Sequence, residues 1–191
     1  MPNWCANQVH LTHEDPTMIA KAVEGFEKGE LLNTFIPIPQ ELRDTVNGWF
    51  GDTDKQKALE EQAARNLLTY GYADWYDFSV ANWGTKWDIG GTDCPPVIRH
   101  DANNITLSFD SAWSPPIEAY VKLSELGFLV DAMYYEPGMG FCGRYTTDTG
   151  ELTVNIVGDS EWVSENIDPD VVEAFNIAEQ MAEWEAESEE E

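Results

Sequence analysis

Positive charge is what this chain has least of. Ten Lys and Arg stand against 36 Asp and Glu in 191 residues, a formal charge of −26 at pH 7. Affinity for a phosphate backbone comes mostly from cations that release condensed counterions, so ten scattered cations in a negative field argue against direct nucleic-acid binding. Anionic membrane surfaces are disfavoured on the same ground. Cysteine is scarce as well. Cys5, Cys94 and Cys142 are odd in number and show no CxxC spacing, which points away from a disulfide framework and from a zinc knuckle. No apolar run approaches the roughly 18 residues of a membrane helix, and Met1-Pro2-Asn3-Trp4-Cys5 is not a basic leader followed by an apolar stretch, so a cytoplasmic protein is expected. P-loop, GxSxG and HExxH patterns are missing, and the glycines of Gly138-Met139-Gly140, which with Gly143 spell GxGxxG, sit between expected strands rather than before a helix, where they cradle no phosphate.

Apolar material is not missing. Hydrophobic residues make up 42% of the chain and aromatics 12%, with eight Trp, which is enough to bury a core. The length suits one main domain. The acidity is regional: residues 145–191 hold 15 acids and no Lys or Arg, whereas residues 1–144 hold 21 acids and all ten cations, a net −11.

Periodicity supplies the elements. Val9 and Leu11 alternate with Gln8, His10 and Thr12, as in a half-buried strand over residues 3–12. Asp15-Pro16 opens a helix with Ile19, Ala22, Val23 and Phe26 on one face, and the prolines of Phe35-Ile36-Pro37-Ile38-Pro39 imply an extended connector. A second helix spans about Asp54 to Tyr70, with Leu59, Ala63, Leu67 and Tyr70 in register. After the aromatic segment Tyr72 to Asp88, Val97-Ile98 and the alternating Ile105, Leu107 and Phe109 read as strands. Ser114-Pro115-Pro116 starts a helix, with the Ser114 hydroxyl as cap. Phe128–Glu136, Phe141–Thr147 and Leu152–Val157 form a meander. A last helix begins at Asp168-Pro169 with Val171, Ala174, Phe175, Ala178, Met181 and Ala182 along one stripe, and the sequence beyond Trp184 reads as a frayed tail. This order gives an α+β fold, a ferredoxin-like split βαβ sandwich with a helical insertion at about 40–80, an extra C-terminal β-hairpin and an acidic C-terminal helix. Residues 1–158 would form the domain and 159–191 the acidic helix and tail.

Two regions offer chemistry. Between Asp74 and Asp88 lie aromatics, carboxylates, an amide and one lysine, a mixture found in carbohydrate and base-stacking sites. Trp75, Asp77, Asn82, Trp83, Lys86, Trp87 and Asp88, with Trp113, are the candidate binding residues; the alternative is that these aromatics fill the seam between insertion and sheet. Lys86 would meet a Trp ring or pair with Asp88. The second region is the acidic surface of Asp159, Glu161, Glu165, Asp168, Asp170, Glu173, Glu179 and Glu183. It serves either as a solubilising face or as a rigid carboxylate array. With 36 acids any carboxylate pair arises by chance, so no catalytic acid and base are assigned. Cys5, His10 and His13 match no zinc spacing, and alternation sends Cys5 and His10 to opposite strand faces, so no metal or cofactor is expected. Pro2, as a processed N-terminal amine, is a further candidate base.

Three separated pieces, Met1-Pro2-Asn3-Trp4-Cys5-Ala6-Asn7, Trp75-Tyr76-Asp77 with Asn82-Trp83-Gly84-Thr85-Lys86-Trp87-Asp88, and Phe109-Asp110-Ser111-Ala112-Trp113-Ser114-Pro115-Pro116, resemble the YubB-type, Api-like ferredoxin-like domain proteins of bacteriophages and conjugative plasmids. The resemblance spans roughly residues 1–145. It implies the fold and a mobile-element origin, hence a host-cell cytoplasm, and supplies no catalytic residues. The expectation is a non-enzymatic accessory protein that binds a basic host or element protein, in its sharpest form as a DNA mimic inhibiting a defence or DNA-handling system. The alternatives are a small-molecule or glycan-binding enzyme using residues 74–88, and a virion component.

Overall fold

The computed structural model describes residues 3–51 and 53–189. Pro2 lies outside them. The order is β1 (Trp4–Thr12), α1 (Pro16–Glu27), α2 (Leu31–Phe35), α3 (Gln40–Arg43), α4 (Asp54–Tyr70), α5 (Trp75–Trp83), β2 (Ile98–Arg99), β3 (Asn104–Ala112), α6 (Ile117–Glu125), β4 (Leu129–Glu136), β5 (Phe141–Thr146), β6 (Gly150–Asn155), α7 (Ser160–Asn166), α8 (Pro169–Phe175) and α9 (Ile177–Glu189). One antiparallel sheet runs β2-β3-β1-β4-β5-β6. The first four strands of that list, with α1 and α6 as crossovers, are the ferredoxin-like βαββαβ unit, its edge strand β2 shortened to two residues. β5 and β6 extend the β4 side as a hairpin.

The strands alternate as their sequences require. Cys5, Asn7, Val9 and Leu11 of β1 and Ile105, Leu107 and Phe109 of β3 face one side, where α1, α2 and α6 close the main core with Phe26, Leu32 and Tyr120, joined by Phe128 just before β4. This core contains polar residues that are fully paired. Asn7 Nδ2 donates to the Cys5 carbonyl at 2.7 Å and to Ser111 Oγ at 2.8 Å, and Asn7 Oδ1 accepts from the Tyr120 hydroxyl at 3.0 Å. The buried Glu136 carboxylate accepts from the N–H groups of Gly138 (2.9 Å) and Met139 (2.6 Å), fixing the β4–β5 turn. Burial pushes the Cys5 thiol up to about 12 and the Cys142 thiol to about 11, so neither is a ready nucleophile. His10 lies on the opposite face, bonded to Thr106 at 3.2 Å.

The other face of β4 to β6 is covered too. Val163, Ile167, Val171 and Ile177 from the three C-terminal helices pack with Cys142 and against Met133, Tyr135, Val154 and Ile156. The C-terminal segment is thus a docked helical layer rather than one helix and a tail. The single helix expected from Asp168 breaks at Asn176, whose φ of +54° ends α8 in the left-handed conformation that Asn tolerates. The region of the expected frayed tail is helical through Glu189, and Glu185 is tied back to α7, accepting from Ser160 N at 2.8 Å and Ser160 Oγ at 2.7 Å.

Further departures are local. β6 begins two residues before its expected start because the Asp148-Thr149-Gly150 turn pairs Thr146 with Gly150. Ser114 does not cap α6; its hydroxyl donates to the Gly84 carbonyl at 2.6 Å and the helix starts after Pro116. In α4 only Asn66 is buried, and Leu67 faces solvent instead of the core. The insertion leaves and rejoins the body at one point: Trp75 N donates to Thr45 Oγ1 at 3.3 Å, and Asn47 Nδ2 to Asp74 at 2.7 Å.

Candidate functional site

Residues 74–88 are largely helical. Asp74 caps α5 by accepting from Asp77 N at 2.9 Å, and Gly84 closes it at φ +80°. Glycine suits the site because that φ strains other residues, and an added Cβ would stand 3.0 Å from the Ile117 backbone N and displace the Glu118 carboxylate. The strand-rich tertiary contacts then gather the three tryptophan-bearing pieces into one place. Trp4 is opposite Ala112 in the β1–β3 ladder, Trp113 N donates to the Asn3 carbonyl at 2.9 Å, and the buried Thr85 hydroxyl both donates to the Ala112 carbonyl and accepts its N–H, each at 3.1 Å. With the Ser114–Gly84 bond, the loop after α5 is stitched to the end of β3.

Within this junction the candidate residues divide. Trp83 is 3% exposed and its indole N–H donates to the Ile36 carbonyl at 3.0 Å, so most of this candidate lies in the core, the alternative reading of the segment as a filled seam. Asn82 donates to the Phe78 carbonyl one turn back. Asp88 accepts from the N–H groups of Leu32 (2.7 Å), Asn33 (3.0 Å) and Ile89 (2.9 Å), capping α2 from 56 residues away in sequence in the case of Leu32. Burial raises its pKa, and those three N–H groups offset part of the rise. Asp77 is exposed in the first turn of α5 and Trp75 half-buried.

Trp4, Trp87 and Trp113 remain exposed at 48%, 40% and 43%. Lys86 does not pair with Asp88: its ammonium lies 4.7 Å from the Trp87 ring centroid, 5.3 Å from Trp113 and 5.6 Å from Tyr76. Trp113 holds this position with φ +66°, a conformation costing an aromatic residue about 1–3 kcal/mol. Two cavities flank Trp87. One of about 320 Å³ is lined by Arg43, Trp75, Trp83, Lys86 and Trp87 among others; the second, about 390 Å³, lies between Trp4, Trp87, Asp93 and Asp110. Pattern reasoning missed Trp4 and Asp110 because a strand ladder brings them beside Trp87, and nothing local to either marks it.

The acidic candidates also divide. Asp159 caps α7 and Asp168 caps α8. Arg144, the last cation in the sequence, grips Asp131 through two bonds of 2.7 Å and reaches Asp168 at 3.2 Å and Asp170 at 3.1 Å. Those carboxylates raise its pKa, the Asp131 bond most of all. Asp168 and Asp170 are therefore partly neutralised, whereas Glu161, Glu165, Glu173, Glu179 and Glu183 are exposed. Among the described residues no group of three His, Cys, Asp or Glu is placed to hold a metal ion, and no helix is long and apolar enough to cross a membrane.

No curated protein matches the chain. Among solved structures, a crystal structure of protein api92 from Yersinia pseudotuberculosis aligns with 83% of this chain and 99% of its own, at 13% identity and a TM-score of 0.45. The stretch from residue 96 to 187, which runs from just before β2 into α9 and so includes the C-terminal helical layer, matches the family model described as "Ferredoxin-like domain in Api92-like protein".

Proposed function

We propose that this chain is a non-enzymatic accessory protein of a phage or plasmid that docks onto a basic host or element protein through its C-terminal helical layer, in the manner of a DNA mimic. One observation carries the reading. The exposed Glu161, Glu165, Glu173, Glu179 and Glu183 stand on helices that a buried apolar cluster holds to the sheet, in a segment without a single Lys or Arg. A docked carboxylate array spends little ordering entropy on binding, unlike a loose acidic tail, and presents the sign of charge that a basic DNA-binding groove accepts. Duplex DNA carries about one charge per 1.7 Å of axis, so such a surface competes with it best at low salt.

The test compares the native chain with a variant carrying Glu→Gln at 161, 165, 173, 179 and 183, both immobilised and exposed to host lysate at about 50 mM and about 500 mM salt. Proteins retained by the native chain at low salt should be lost from the variant, released by salt and displaced by duplex DNA. Equal retention by both chains overturns the reading. A second reading, a small-molecule or glycan site, is favoured by the cavity of about 320 Å³ that Trp75, Lys86 and Trp87 line.

A further inference from the structure

We propose that the cavity between Trp4, Trp87, Asp93 and Asp110 is a binding site for an organic cation, an alkylammonium or guanidinium group. Its volume is about 390 Å³, within the range of small-ligand pockets. Three carboxylates line it, those of Asp88, Asp93 and Asp110, and its lining contains no Lys, Arg or His. Asp88 is engaged by backbone N–H groups. Asp93 and Asp110 have no ion-pair partner among the described residues.

Two half-exposed indoles, those of Trp4 and Trp87, also line it, their ring centroids 6.0 Å apart and their planes tilted by 37°. Carboxylates beside aromatic faces attract a large, weakly hydrated cation through charge and ring quadrupole together. A hard metal ion gains nothing from the rings and would need more oxygen ligands than two exposed aspartates offer. The same aromatic junction already draws in one ammonium, that of Lys86, which lines the neighbouring cavity and not this one. Burial raises the Asp110 pKa with no positive group to lower it, and burial followed by the fields of Asp110 and Asp93 raises the Cys94 thiol. The net −26 of the chain adds a long-range pull of the same sign.

The ligand group can arrive free, as a quaternary ammonium, or on the side chain of a partner protein, and the test separates the two. Indole N–H resonances of the full ¹⁵N-labelled chain are followed during titration with choline, with N-acetyl-argininamide, and with 3,3-dimethylbutan-1-ol, the neutral isostere of choline. The Trp4 and Trp87 resonances should shift saturably with at least one cation and not with the alcohol. Choline alone identifies a free quaternary ammonium, and the arginine derivative alone a partner's side chain. The variants Trp87→Ala and Asp93→Asn with Asp110→Asn, whose side chains lie at the surface, should weaken binding at least tenfold. Failure of both cations, an equal response to the alcohol, or native-like binding by the double Asp variant overturns the proposal. The five-fold Glu→Gln variant of the helical layer should bind the cation as the native chain does, so the outcome here is separable from the fate of the docking reading.

Discussion

Arg144 shows how much one cation does in an acidic chain. Its guanidinium joins Asp131 of β4 to Asp168 and Asp170 at the start of α8, so it neutralises charge and ties the helical layer to the sheet at once. Truncation leaves three carboxylates close together with no counter-charge. Arg144→Ala should cost about 1–3 kcal/mol, less than a fully buried pair because the side chains are partly wet, and should make α8 an early cleavage site in limited proteolysis. Unchanged chemical denaturation and an unchanged cleavage pattern would show that the apolar cluster alone holds the layer. Residue types alone did not disclose such roles. Asp88 belongs to a dense motif and reads as a ligand-facing carboxylate, yet its partners are the N–H groups of a helix that begins 57 residues earlier. Trp83 likewise finds its acceptor in Ile36, 47 positions away.

At the scale of elements, alternation and caps made most of the body legible. β1 and β3 alternate cleanly because one face is buried, and the prolines and aspartates before α1 and α8 mark their starts. α5 was not legible, although Asp74 and Gly84 bracket it, because Ser79 and Asn82 share the arc of its aromatics while Val80 and Ala81 fall outside it, which hides the 3.6-residue period. α7 was missed because it is only seven residues long and Val163 is its one buried side chain. The helical layer has a consequence for deletion experiments. Removing residues 159–191 takes away Val163, Ile167, Val171 and Ile177 and bares Cys142, Met133, Tyr135, Val154 and Ile156. Each lost Val or Ile is worth about 1.5–3 kcal/mol of gross burial, so the truncated chain should self-associate in size-exclusion chromatography with light scattering. A monodisperse, monomeric truncation product would mean that the layer contributes little to the fold. Loss of binding on deletion thus says nothing about charge, whereas Glu→Gln substitution leaves the packing in place.

For the molecule as a whole, self-repulsion is the dominant long-range term. At −26, with ten cations and several of those committed to local pairs such as Lys28–Glu24 and Lys122–Glu125, compaction brings like charges together. Screening reduces that cost more in the folded state than in the expanded chain. The midpoint of thermal unfolding should therefore rise by several degrees between about 20 mM and about 500 mM NaCl, the direction expected when the Debye length shrinks from about 20 Å to about 4 Å. A fall with salt would mean that attractive pairs, not repulsion, set the stability.

The point where the insertion departs and returns gives the molecule a graft site. Thr45 and Trp75 are joined by a hydrogen bond, and α4 between them buries a single side chain, so the sheet does not sense how long the excursion is. Closing a longer or shorter loop between fixed ends changes the free energy only slowly with length, by about 0.6 kcal/mol per doubling. The arm between Thr45 and Trp75 is therefore the place where this chain should accept a replaced segment as a cassette, gaining new surface there while the aromatic junction and the helical layer stay as they are.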